Sequence, residues 1–209
     1  MHQNHSVSPE TLVVLRSLGN HLPEFYLAGG TTLALYFQHR QSDDLDFFSE
    51  YKVEPQKLLK VLSQFETSIE NIRIHEGTLL ISINKVKVSF MEYLYPLLKP
   101  FNLWEKTHLA SIEDIACMKM IAIASRSERK DYYDLFEILK NLSPRDILES
   151  IQKKYGNQLD LYPFIIALTY FSETDHQVDP KGCKVGWIQV KSYMEKIQKD
   201  FYQAAKSLV

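Results

Sequence analysis

The sequence predicts an α+β fold, with a mixed-sheet unit over residues 1–108 and a helical bundle over 109–209. Three observations carry this. Residues 69–75, 78–83 and 86–93 alternate apolar and polar side chains with the period of a half-buried strand. Short apolar runs at 25–28 and 45–48 alternate with helical patterns earlier in the chain. Beyond about residue 110 nearly every segment has helical character.

Taken in order, 10–18 reads as a helix and 25–28 as a short strand. Gly29-Gly30 then gives a tight turn, and Thr31 or Thr32 can cap a helix that ends near His39. A strand follows at 45–48, and Pro55 opens a helix through about 64 with Leu58, Leu59 and Leu62 on one face. Asn84-Lys85 fits a hairpin turn although it lacks glycine. In the second half Ser111 and Asp114 resemble a capping box for a helix to about 125. Further helices are expected at 131–142, from Pro144, at 159–171 and at 187–207, with a loop at 172–184.

Composition sets limits. The 209 residues are 45% hydrophobic and 24% charged, an ordinary globular balance, and the net charge of −2 gives no global signal for nucleic acid. Cys117 and Cys183 are far apart and show no metal or redox spacing, which points to free thiols in a reduced, cytoplasmic setting. The start of the chain lacks a signal-peptide pattern, and the apolar run 115–124 is too short to span a membrane and contains a lysine. No HExxH, GxSxG, Walker or dinucleotide-binding motif is present. The histidines show no zinc spacing, and His2 and His5 belong to the N-terminal segment.

The stretch that needs explaining is Asp44-Leu45-Asp46. Acidic residues are depleted in strands, and alternate strand residues share a face, so the two carboxylates project together. An exposed acidic edge or a capping pair would account for them. The alternative is a hard cation such as Mg²⁺, which takes carboxylate oxygens and completes its shell with water and phosphate. The surroundings favour the cation: glycines and a helix start upstream suit an anion, and Arg40 and Ser42 lie where each could meet a phosphate oxygen.

The run GGTTLALYFQHRQSDDLDFF (29–48) resembles the first motif of the polymerase-β-like nucleotidyltransferase superfamily. More narrowly it looks like the AbiEii-type nucleotidyltransferase toxins, whose Gly-Gly-Thr, Arg-x-Ser and Asp-Leu-Asp-Phe-Phe follow in that order. The likeness extends to VKVSFMEYLYPLL (86–98) and to IEDIACMKMIAIASRSERKDYYDLFEIL (112–139). It implies a helical second domain that completes the active-site cleft. It also implies a functional lysine, here Lys119, which by sequence alone could equally snorkel to solvent. It places Asp131 in the active site, where the bare sequence allows a residue that only stabilises a helix start. Asp134, three residues on, more simply orients a neighbour. One departure stands out: Ser89 occupies the place where superfamily enzymes often carry a third carboxylate, and Glu92 faces the other way unless a bulge intervenes.

The expected activity is Mg²⁺-dependent transfer of a nucleoside monophosphate from an NTP to an acceptor hydroxyl. Asp44 and Asp46 would hold metal. Gly29, Gly30, Thr31, Arg40, Ser42 and Lys119 would bind the triphosphate, with Asp131 as third metal ligand or base. The resemblance further implies a bacterial toxin with a cognate antitoxin and an RNA acceptor such as tRNA, toward which Arg126, Arg129 and Lys130 also lean. Two alternatives stay open: a small-molecule, antibiotic-type nucleotidyltransferase, and a degenerate domain that binds nucleotide without catalysis.

Overall fold

The computed structural model describes residues 6–66 and 68–208, so His2 and His5 lie outside the described residues. The chain divides into two compact units, one ending at Ala110 and the other beginning at Ser111.

The first unit contains α1 (Pro9–Gly19), β1 (Tyr26–Ala28), α2 (Gly29–Phe37), β2 (Leu45–Ser49), α3 (Pro55–Leu62), β3 (Ile69–His75), β4 (Thr78–Ile83), β5 (Val86–Glu92), β6 (Asn102–Trp104) and β7 (Thr107–Leu109). Among the described residues these strands form one mixed sheet in the order β3-β4-β5-β2-β1-β7-β6. The central strand β2 runs antiparallel to β1 and parallel to β5. Its burial alternates: Leu45, Phe47 and Ser49 are buried, whereas Asp46 and Phe48 are only half-buried. Leu45 and Phe47 join Leu79, Ile81, Val88 and Phe90 in a core shared with Leu15 and Leu18 of α1 and Leu58 and Leu62 of α3. Phe47 stacks on Phe90 at 5.3 Å between ring centroids. Each such buried side chain contributes about 1.5–3 kcal/mol, so the apolar parity of β2 fixes which way Asp46 points.

The sequence predicts β3, β4 and β5 almost to the residue, but assigns nothing to 99–108, where β6 and β7 form a hairpin. Two three-residue strands are too short to show a period. What recruits them is tertiary: β7 lies parallel to β1, with Tyr26 opposite His108 and Leu27 opposite Leu109. The start of α2 also differs. The helix begins at Gly29 itself, its cap position is Ala28 without a side-chain bond, and neither Thr31 nor Thr32 caps it.

The second unit holds α4 (Ile112–Arg126), α5 (Arg129–Ile138), α6 (Pro144–Tyr155), α7 (Tyr162–Ala167), a 3-10 turn (Thr174–His176) and α8 (Trp187–Lys206). Ser111 caps α4 by accepting from the Asp114 amide at 3.0 Å, and the full reciprocal box forms at Ser143 and Asp146 of α6. Asp114 meets Lys154 at 2.7 Å, and both side chains are buried. The helix expected over 159–171 is only the six residues of α7, because Asp160 accepts from the Tyr162 amide and Pro163 sits in the first turn. The loop 172–184 is tied down by Arg129. Its guanidinium donates to the carbonyls of Thr174 and Asp175 and to Asp179, and lies 4.9 Å from the centre of the Trp187 ring.

Cys117 and Cys183 are free thiols. Burial pushes the Cys117 thiol up to about 12, which disfavours its thiolate. Among the described residues no helix is long and apolar enough to cross a membrane.

The β4–β5 turn offers a test. Asn84 and Lys85 both adopt left-handed backbone, with φ of 49° and 68°. This is the conformation that Asn-Gly fills best, and a side chain there costs about 1 kcal/mol relative to glycine. Lys85→Gly should stabilise the protein by about 0.5–1 kcal/mol in urea denaturation. A neutral or destabilising result would show that the turn is not of this type.

Candidate active site

In the first unit Asp44 and Asp46 line one cavity of about 590 Å³ on the sheet face opposite α1 and α3. Asp44 is exposed, one residue before β2 begins, and Asp46 is half-buried on it. Thr31, inside the first turn of α2, donates its hydroxyl to the Asp44 carbonyl at 2.5 Å, and its oxygen lies 3.0 Å from Ser42 Oγ. The threonine expected to cradle phosphate thus holds the acidic segment against α2.

At the start of α2, Gly29 and Gly30 are closely packed on both sides. Gly29 has a φ of +73°, and a Cβ there would lie 3.2 Å from Asp46 Oδ2. A Cβ on Gly30 would lie 2.3 Å from Arg40 Nη2 and 3.0 Å from Ser42 Oγ. Arg40 is buried beside the N-terminus of α2 and donates to the Gln41 carbonyl at 2.9 Å. Gly29, Gly30, Thr31, Arg40 and Ser42 are therefore gathered next to the two aspartates, although they do not line the cavity itself.

Ser89 stands opposite Asp46 in the β2–β5 register and donates its hydroxyl to Asp46 Oδ1. Glu92 lies at the far end of β5, where its carboxylate accepts from the Val53 amide at 3.1 Å, away from the aspartates. Two carboxylates with open cavity in front suit Mg²⁺, which needs only one or two protein carboxylates when phosphates and water complete its shell. Among the described residues no group of three or more His, Cys, Asp and Glu could cage a metal alone.

Sequence reasoning missed the opposite wall of this cavity: Asn71, Arg73, Ser82 and Lys87. Lys87 was within reach, since it is two residues from Ser89 on one strand and so shares its face. Arg73 was not, because β3 has a register shift between Glu70 and Arg73 where Asn71 turns to φ +53°.

The second unit holds Lys119 and Asp131. Lys119 Nζ lies 2.8 Å from Asp131 and 2.5 Å from Asp134, with its side chain only 5% exposed and both carboxylates fully buried. Arg126 adds two bonds to Asp131, at 2.9 and 3.0 Å. Lys119 and Arg126 thus face Asp131 and Asp134, and the cluster joins α4 to α5. Burial pushes the Asp131 carboxyl up, but Lys119 and Arg126 together outweigh it and hold it below the ordinary range. The basic set that leaned toward RNA is engaged within this unit: Arg126 with Asp131, Arg129 with the 172–184 loop, and Lys130 with Glu128 at 2.9 Å.

A family model described as nucleotidyl transferase AbiEii toxin, type IV toxin–antitoxin system, matches residues 12–177. The chain belongs to the AbiEii nucleotidyltransferase toxin family. It is accordingly a nucleotidyltransferase. An uncharacterised protein of Aquifex aeolicus (strain VF5) is 31% identical over 189 residues, 86% of this chain and 89% of that one. Among solved structures, MenT4, a nucleotidyltransferase toxin of Mycobacterium tuberculosis, matches with a TM-score of 0.59 at 14% identity, over 94% of this chain and 86% of its own. JHP933 of Helicobacter pylori matches with a TM-score of 0.55 at 18% identity, over 97% and 98%. These two are likenesses of fold, and the α+β architecture is that of nucleotidyltransferases.

The buried cluster makes an AbiEii-family prediction with a sign. Removing one partner of a buried ion pair costs about 3–5 kcal/mol, so Lys119→Met should destabilise the helical unit by that order at neutral pH. A carboxyl held low contributes stability above the unfolded value near 3.8, lost as pH falls through its lower folded value. The deficit of Lys119→Met should shrink as pH falls toward 4, where a buried carboxylate that has lost the lysine takes up a proton, while Asp131 keeps Arg126. Urea denaturation between pH 4 and 8 tests this, and a deficit that is absent or independent of pH would refute it.

Proposed function

We propose that this AbiEii-family chain transfers a nucleoside monophosphate from an NTP to an acceptor hydroxyl with Mg²⁺. The carrying observation is that Asp44 and Asp46 line one cavity while the N-terminus of α2, Gly29, Gly30, Arg40 and Ser42 adjoin them. Asp44 and Asp46 would hold the metal, which when bound offsets negative charge among carboxylates and phosphates. The amides at the start of α2 and the Arg40 guanidinium favour the triphosphate. The acceptor oxygen attacks the α-phosphorus and forms a new P–O bond. The bond from that phosphorus to the α,β-bridging oxygen breaks, pyrophosphate leaves with the electron pair, and the hydroxyl proton passes to a base or to water. Rate enhancement of this kind rests on positioning and charge.

Lys119 and Asp131 enter the proposal as positioning residues. Their charges face each other and Asp134, which supports a role in holding α4 against α5. The acceptor we favour is RNA, tRNA included. The cavity wall formed by Asn71, Ile72, Arg73 and Lys87 is exposed, which suits a polymer lying across it better than an enclosed small molecule. A cognate antitoxin is the partner that membership of a toxin family suggests.

Incubation with each α-³²P-labelled NTP, Mg²⁺ and bacterial RNA should label RNA. Asp44→Asn and Asp46→Asn should each lower the rate at least ~100-fold, and chelation of Mg²⁺ should abolish it. Absence of label with every NTP, or label that survives both substitutions, would overturn the proposal.

A further inference from the structure

The sheet gives the Asp46 neighbourhood two distinct sides. On one side of β2 lies β1, which leads into Gly29, Gly30 and α2. On the other side lie β5, β4 and β3. A continuous cross-strand row runs Asp46–Ser89–Leu80–Arg73. At about 4.8 Å per strand, Arg73 stands roughly 14 Å from Asp46 by backbone. Lys87 is nearer, one strand across and two residues along, on the same face as Ser89. Both cations are exposed, and neither has a carboxylate or hydrogen-bond partner among the described residues. Between them Asn71 donates to Ser82 Oγ at 3.2 Å, which fixes the floor of the cavity.

In-line displacement puts attacking and leaving oxygens on opposite sides of the phosphorus. With the leaving pyrophosphate toward α2, the acceptor must approach from the β5–β4–β3 side. We propose that Arg73 and Lys87 form the acceptor subsite and bind successive phosphates of a single-stranded RNA whose hydroxyl attacks beside Asp46. This rests on the nucleotidyl-transfer reading given above. Two cations at different distances from one acidic pair match a phosphodiester chain; a single small acceptor would not reach both. Ser89 fits the same picture. A carboxylate in its place would add negative charge where the polyanion enters, whereas its hydroxyl adds none and donates to Asp46.

The test uses the full chain, a fluorescein-labelled single-stranded RNA and two variants. The double variant Arg73→Ala/Lys87→Ala removes the subsite. Lys106→Ala removes an exposed cation between β6 and β7, at the other end of the sheet, and controls for net charge. The double variant should weaken RNA binding at least ~10-fold and flatten the log–log salt dependence by about one to two units, given about 0.7 per phosphate contact on a single strand. In label transfer it should raise the KM for RNA by a similar factor and leave the KM for NTP within about twofold. Lys106→Ala should match wild type in all three. A rise in the NTP KM with RNA binding retained would assign the cations to the triphosphate and overturn the inference. Unchanged RNA binding in the double variant, or wild-type label carried only by protein or small molecules, would also overturn it. Label transfer absent from wild type would overturn the proposed function alone, since the binding arm still decides the subsite.

Discussion

The register of β2 is the constraint on which the rest of the first unit depends. Leu45 and Phe47 are drawn into the core by α1, α3 and the aromatic stack on Phe90, and this sends Asp46 to the opposite face. A slip of one residue would bury the carboxylate and expose two large apolar side chains. The same register sets Ser89 opposite Asp46 and Ala28 on its other side, so Gly29 follows immediately beside Asp46. Thr31 then fixes Asp44 by its carbonyl. Asp44 and Asp46 are thus positioned by backbone pairing and hydrophobic burial, with the Ser89 hydroxyl donating to Asp46.

The acidic residues of the second unit follow the opposite logic. Asp114, Asp131 and Asp134 are buried, and each meets a lysine: Lys154 for the first, Lys119 for the other two. Buried ions of this kind add little net stability over an apolar core, but removing one partner is costly. They fix how α4 sits against α5 and α6. Asp44 and Asp46 of the first unit therefore face a cavity, whereas the buried Asp114, Asp131 and Asp134 of the second are paired inside the bundle. That contrast is the basis on which we propose chemistry for Asp44 and Asp46 and a positioning role for Lys119 and Asp131.

Much of this was legible in the sequence for a physical reason. Strands β3, β4 and β5 announce themselves by alternation, and the Gly-Gly turn with Asp-x-Asp marks the site because glycine and paired acids are both unfavourable without a use. What was not legible depends on partners distant in sequence. The β6–β7 hairpin is recruited by β1, Lys154 finds Asp114 forty residues away, and Arg73 reaches the cavity only through a bulge at Asn71. Arg129 joined the basic set that leans toward RNA because nothing local shows that the 172–184 loop folds back onto it.

The most direct test of the central claim is metal binding at the acidic pair. Mn²⁺, as a paramagnetic stand-in for Mg²⁺, would be titrated into wild type, Asp44→Asn and Asp46→Asn with a non-hydrolysable NTP analogue and followed by electron paramagnetic resonance. The account predicts nucleotide-dependent Mn²⁺ binding in wild type that is lost in both variants. Equal Mn²⁺ binding in all three proteins would contradict it, because the carboxylates positioned by β2 would then not be the metal site.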